Sequence, residues 1–124
     1  MKINKKDIPT TMQAPDTTMR AQADFGGMTV CFNELAKGTD FTPLLQGLDH
    51  DSCHCPHWGY IEEGAILIKY DDGSEEVLRA GDVFYLPSGH TAIVQEAIKF
   101  IEFSPTKEYT EVITHVGKKV AEMS

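Results

Sequence analysis

Between Phe25 and Phe103 the chain consists of short apolar runs closed by Gly, Asp or Pro, among them MTVCFNEL, AILIKY, EEVLR and VFYLP. Runs of about 4 to 8 residues, punctuated about every ten, fit strands and are too short for helices, so an all-β sandwich or barrel is predicted, with no helix in this stretch. Three turn signals, Glu63-Gly64, Asp71-Asp72-Gly73-Ser74 and Ala80-Gly81-Asp82, predict hairpins following one another as a meander. The tail TKEYTEVITHVGKKVAEM changes period. It sets Tyr109, Val112, Ile113, Val116 and Val120 on one helical face, which predicts one C-terminal helix over 106–124, packed outside the barrel or on a second subunit. Residues 1–20 hold Pro9 and Pro15 and show little periodicity, which suits a loosely ordered arm or an edge segment tied down by a neighbour, leaving 21–105 for the barrel.

A chain of 124 residues supports one hydrophobic core. Its net charge of −8 repels phosphates and anionic lipid, which excludes nucleic acid and membrane surfaces as partners. MKINKK is basic but runs into polar residues rather than an apolar stretch, and no segment is apolar enough to span a bilayer, so a cytoplasmic location is expected. In that reducing setting three cysteines point to metal or redox chemistry rather than to disulfides.

Of the five histidines and three cysteines, five fall between His50 and His57. A strand alternates its side chains, so Cys53, Cys55, His57, Gly59 and Ile61 would share one face, and His54, Pro56, Trp58, Tyr60 and Glu62 the other. Only the first set joins soft ligands to an apolar continuation, and it is assigned to the interior. Thiolates and imidazole on one face suit a borderline-soft divalent ion such as zinc.

Gly81-Asp-Val-Phe-Tyr-Leu-Pro87-Ser-Gly89-His90 ends a strand in Pro-x-Gly followed at once by histidine. It resembles the second cupin motif, G-x5-P-x-G-x2-H, at Gly81, Pro87 and Gly89, with its histidine directly after Gly89 instead of at Ala92. Either His90 is the ligand on a shortened turn, or Ala92 holds the usual position and His90 has another task. The first motif, H-x-H-x3 or x4-E-x6-G, is matched only at its end. Gly64 stands for its glycine and His57 for its glutamate, while its two histidines fall on Asp51 and Cys53, or on His50 and Ser52. CPHWGY followed by PSGHT is similar to a branch of small single-domain cupins. The resemblance spans residues 50–92 and implies an all-β cupin-type double-stranded β-helix, the jelly-roll barrel, with one C-terminal α-helix added here.

Parity and resemblance together select Cys53, Cys55, His57 and His90 as metal ligands. Four such ligands make a closed tetrahedral shell of structural or regulatory kind, whereas one ligand fewer leaves a position for water and for chemistry. Zinc is the first choice of ion, with nickel, iron or manganese as alternatives. His50 and His54 read as rim residues, His115 as unrelated on the helix and Cys31 as core. Trp58, Tyr60, Phe84 and Tyr85 read as packing or interface residues. A nucleophilic cysteine paired with His57 would need an orienting carboxylate, and none stands at a telling spacing. The functional expectation is a binding module for metal or a small molecule, with a metal-dependent oxygenase, isomerase or hydrolase of a small polar metabolite as the alternative. Sheet edges that need covering predict a homodimer.

Overall fold

A computed structural model describes residues 1–123. Seven strands run β1 (Thr10–Ala14), β2 (Thr17–Phe25), β3 (Met28–Leu35), β4 (His57–Tyr70), β5 (Glu75–Arg79), β6 (Val83–Leu86) and β7 (His90–Pro105), followed by helix α2 (Thr106–Glu122). A short helix, α1 (Thr42–Leu45), and a 3-10 turn at Asp49–Asp51 interrupt the strands between β3 and β4. All pairings are antiparallel, in the order β1-β2-β3-β7-β4-β5, with β6 also on β4. Among the described residues no helix is long and apolar enough to cross a membrane.

Two long strands organise the barrel. β7 pairs β3 through Ile98–Pro105 and pairs β4 along nearly its whole length, so their shared register sets the depth of every residue between them. Along this pair the interior positions of β7 are Ile98, Phe100, Glu102 and Ser104, all buried. They oppose Leu35, Asn33, Cys31 and Thr29 of β3, so each rung of the lumen is fixed by one cross-strand pair. Leu35, Ile61, Ile66, Ile68, Val94 and Ile98 form the centre of the apolar core.

Four expectations need correction. Glu63-Gly64 is no hairpin; β4 runs straight through it with irregular register between Ile61 and Ile66, where bulges bend the strand. The β5–β6 turn at Ala80–Asp82 exists, but β6 returns to pair β4 at His57–Tyr60 while β5 pairs it at Ala65–Lys69, so the strands do not form a meander. Helix α1 lies in a stretch expected to be strand only, with Pro43 in its first turn, where a missing N–H costs nothing. The boundary at residue 20 falls inside β2: the edge-segment option holds over 10–20, where β1 and β2 pair. The preceding residues are tied in as well, since Arg20 Nη1 donates to the Ile8 carbonyl and Lys5 lies over the Phe32 ring at 4.3 Å.

The C-terminal helix follows its periodicity. Val112 and Val116 are buried against Leu45 of α1 and against Cys53 and Cys55, so α2 caps the barrel mouth above the cysteine segment.

Candidate metal centre at the barrel mouth

Cys53 and His90 are joined through their backbones before any side chain meets. Cys53 N–H donates to the His90 carbonyl at 2.7 Å, and the N–H groups of Gly89 and His90 donate back to the Cys53 carbonyl at 2.8 and 3.2 Å. The turn that delivers His90 requires glycine at 89: its φ is +94°, and a Cβ there would come within 2.7 Å of Asp71 Oδ2. His57 arrives separately, as the first residue of β4, with its neighbour Trp58 opposite Phe103 on β7.

The result is a buried trio. One ligand atom each from Cys53, His57 and His90 lies within 4.8 Å of the other two, and Cys53 Sγ is 3.6 Å from His57 Nε2. Both imidazoles are anchored by the opposite nitrogen. His57 Nδ1 is 2.7 Å from Ser104 Oγ and 3.7 Å from Glu102 Oε1, and His90 Nδ1 donates to the Pro87 carbonyl at 2.9 Å. The Pro87 carbonyl can only accept, which fixes His90 with its proton on Nδ1, and with Nδ1 of both rings engaged, Nε2 of each is left as the ligand atom. Of the two readings left open at Gly89, the geometry brings in His90. The residues therefore fit a tetrahedral ion such as zinc, with three protein ligands and one further position.

Cys55 is fully buried, as strand parity requires, yet its thiol lies outside the trio. Cys53–Pro56 is not strand, and in that looser backbone Cys55 Sγ turns to the Pro56 carbonyl at 3.4 Å and to Ser104. His54 faces Glu111 of α2 at 3.9 Å, His115 Nε2 donates to the Gln46 carbonyl, and His50 sits in the 3-10 turn; none joins the trio.

Glu102 and Ser104 are site residues that local sequence reading missed. They lie about 50 residues downstream of Cys53, and only the β4–β7 register brings them beside His57. The signal was present as polar residues at alternate positions of an otherwise apolar strand, Phe100, Glu102, Ser104. Burial drives Glu102 up to about 7, partly offset by His90, and drives His57 down to about 4. His90 also falls to about 4, by burial and then by the neighbouring His57. The Cys53 thiol is pushed up to about 12, chiefly by burial. A Cys53–His57–Glu102 line thus exists, carboxylate included, but without added charge it is a neutral thiol beside a neutral imidazole and no reactive ion pair forms. A cation at the trio reverses that balance, because coordination holds a thiolate deprotonated.

The trio lines a cavity of about 120 Å³ that passes from the lumen to the underside of α2. Its other walls are almost entirely apolar, including Phe41, Ile61, Ile68, Phe84, Phe100 and Val112.

No family model matches the chain, and neither does any curated protein. Solved structures do resemble it. An RmlC-like cupin from Shewanella frigidimarina aligns at 18% identity over 83% of this chain and 88% of that one, with TM-score 0.56. The polyketide cyclase RemF from Streptomyces resistomycificus aligns at 17% identity over 85% and 78%, TM-score 0.56. The iron(II) form of HppE aligns at 9% identity and TM-score 0.58, over 84% of this chain and 59% of that one. Identities this low establish a shared fold: the chain has the jelly-roll barrel fold seen in cupins, with one C-terminal helix.

Proposed function

We propose that this protein is a metal-binding cupin that holds one divalent ion at Cys53, His57 and His90 and offers the ion's remaining position to a small molecule in the apolar cavity. The observation that carries the reading is the convergence of three buried ligand atoms, each imidazole already anchored through its Nδ1. One thiolate and two imidazoles make a mixed soft and borderline donor set, which favours zinc over the harder ions. Metal analysis of purified protein should give about one ion per chain, and His57→Ala should lose it; unchanged metal content in that variant contradicts the reading.

A second reading, a metal-dependent enzyme, is favoured by one specific feature: three ligands rather than four, opening onto a cavity. An ion so held supplies Lewis acidity to whatever occupies its free position. Buried Glu102, anchored beside His57, would then orient that imidazole and thereby the ion. RemF and HppE have this fold, and fold alone does not transfer an activity.

Pairing of two copies belongs to the same proposal. Trp58 and Tyr60 on β4 face Tyr85 and Val83 on β6, all four exposed, with Trp58 and Tyr85 stacked at 5.0 Å. An apolar aromatic face beside the short strand β6 is what a second subunit would cover. Light scattering at twice 13.8 kDa supports it, and monomer mass rejects it.

A further inference from the structure

Asn33 is the one residue of the described chain with a buried side-chain polar atom, Oδ1, that meets no partner. The residue is 4% exposed and lines the same cavity as the metal trio. Its cross-strand neighbours are Met19 on β2 and Phe100 on β7, so neither flanking strand supplies a polar group to it. A buried acceptor left unpaired costs about 1–3 kcal/mol, so a donor inside the cavity would complete it. Leucine, nearly the same shape, would remove that cost; retention of the amide points to a ligand that completes it.

The lumen rungs place this amide relative to the trio. Ser104, which anchors His57, opposes Thr29; the next rung is Glu102 with Cys31; the next is Phe100 with Asn33. Asn33 is therefore two rungs deeper than the His57 anchor, with buried Glu102 on the rung between. An occupant that reaches both must be elongated, with a polar atom at each of its two ends. A cavity of about 120 Å³ is slightly smaller than the roughly 150 Å³ that accepts benzene, which limits the body to about one ring or a short chain. Coordination by one thiolate and two imidazoles leaves a tetrahedral ion one further position, which a donor atom of the occupant's head group can fill.

We infer that the cavity selects a slender molecule of about one ring, with a metal-binding head at Cys53, His57 and His90 and a hydroxyl or amine tail bonded to Asn33. The inference rests on the metal reading above and adds the class of ligand. A hydroxyl tail serves either orientation of the amide, since it both donates and accepts.

The test uses full-length protein loaded with cobalt(II) and two probes, thiophenol and 4-hydroxythiophenol, titrated by the change in the thiolate-to-cobalt absorption. The hydroxylated probe should bind wild-type protein about three- to tenfold more tightly, the worth of one buried hydrogen bond. In Asn33→Leu that preference should vanish or invert while thiophenol still binds and the cobalt spectrum before titration is unchanged. Equal binding of both probes to wild-type protein, or binding of neither, overturns the inference while leaving the metal reading intact. A protein that takes up no cobalt overturns the metal reading first, and the inference with it. Should Asn33→Leu fail to fold, the orphan-amide premise fails too, because removing an unpaired buried acceptor is expected to be neutral or stabilising; the wild-type probe comparison decides the ligand class on its own.

Discussion

The floor and the mouth of this barrel are built from the same strands on opposite terms. At the floor, Leu35, Ile61, Ile66, Ile68 and Ile98 are buried among one another and lose nothing but water. At the mouth, Cys53, His57, His90, Glu102 and Ser104 are buried too, and every one of them carries a polar group whose desolvation opposes folding. The difference teaches where stability and chemistry reside. The floor holds the barrel closed, and the mouth spends part of that stability to keep neutral ligands facing one another.

The largest effect should come from the floor. Ile68 is 1% exposed at the centre of the core, so Ile68→Ala should lower unfolding free energy by about 2–5 kcal/mol in denaturant titration. Its metal content after purification should remain that of wild type. Loss of the ion at retained stability would erase the distinction between the two ends.

The mouth should reveal itself next, through pH, in metal-free protein. His57 and His90 fall from 6.5 to about 4 on folding, so the unfolded chain binds two more protons between those values and stability is lost as pH falls. Glu102 rises from 4.5 to about 7, so the folded chain binds one more proton over nearly the same window and stability is gained as pH falls. Two against one leaves a net loss of about 1.4 kcal/mol per pH unit on going from 6.5 to 4.5. Chelator-treated protein should be most stable near pH 6.5 by chemical denaturation. A flat profile would show that the three groups are not buried together.

These contrasts also explain what could be read in the sequence. The strand-rich barrel, the C-terminal helix and the interior placement of Cys53, Cys55, His57 and Ile61 follow from local period, and their burial matches it. Period says nothing of which distant strand lies opposite. The β4–β7 register that brings Ser104 and Glu102 to His57, and the return of β6 onto β4 instead of β5, depend on non-local pairing. Cys55 shows the finer limit. Parity says which side is interior, but once the backbone leaves strand geometry before His57, interior no longer means pointing at the same centre.

A smaller effect should follow at the anchor. Ser104→Ala removes the 2.7 Å partner of His57 Nδ1 without touching a ligand atom. Metal affinity, measured by chelator competition, should drop about 10- to 100-fold while stoichiometry stays at one. An unchanged affinity would mean that Glu102 alone orients the ring.

The smallest effect is expected at Cys55, and it separates two versions of the site. A closed Cys2His2 shell makes Cys53 and Cys55 equivalent, so that losing either removes one of two thiolates. The geometry makes them unequal: Cys53 Sγ stands 3.6 Å from His57 Nε2, whereas Cys55 Sγ is spent on the Pro56 carbonyl and on Ser104. Cys55 can reach the ion's environment only through Ser104, one step behind the anchor, so Cys55→Ala should weaken binding less than about tenfold, below the effect at Ser104 itself. With cobalt(II) bound, the thiolate charge-transfer absorption should persist in Cys55→Ala and disappear in Cys53→Ala. Halving of that absorption in both variants would restore the four-ligand shell, close the ion to the cavity and favour a structural role for the metal.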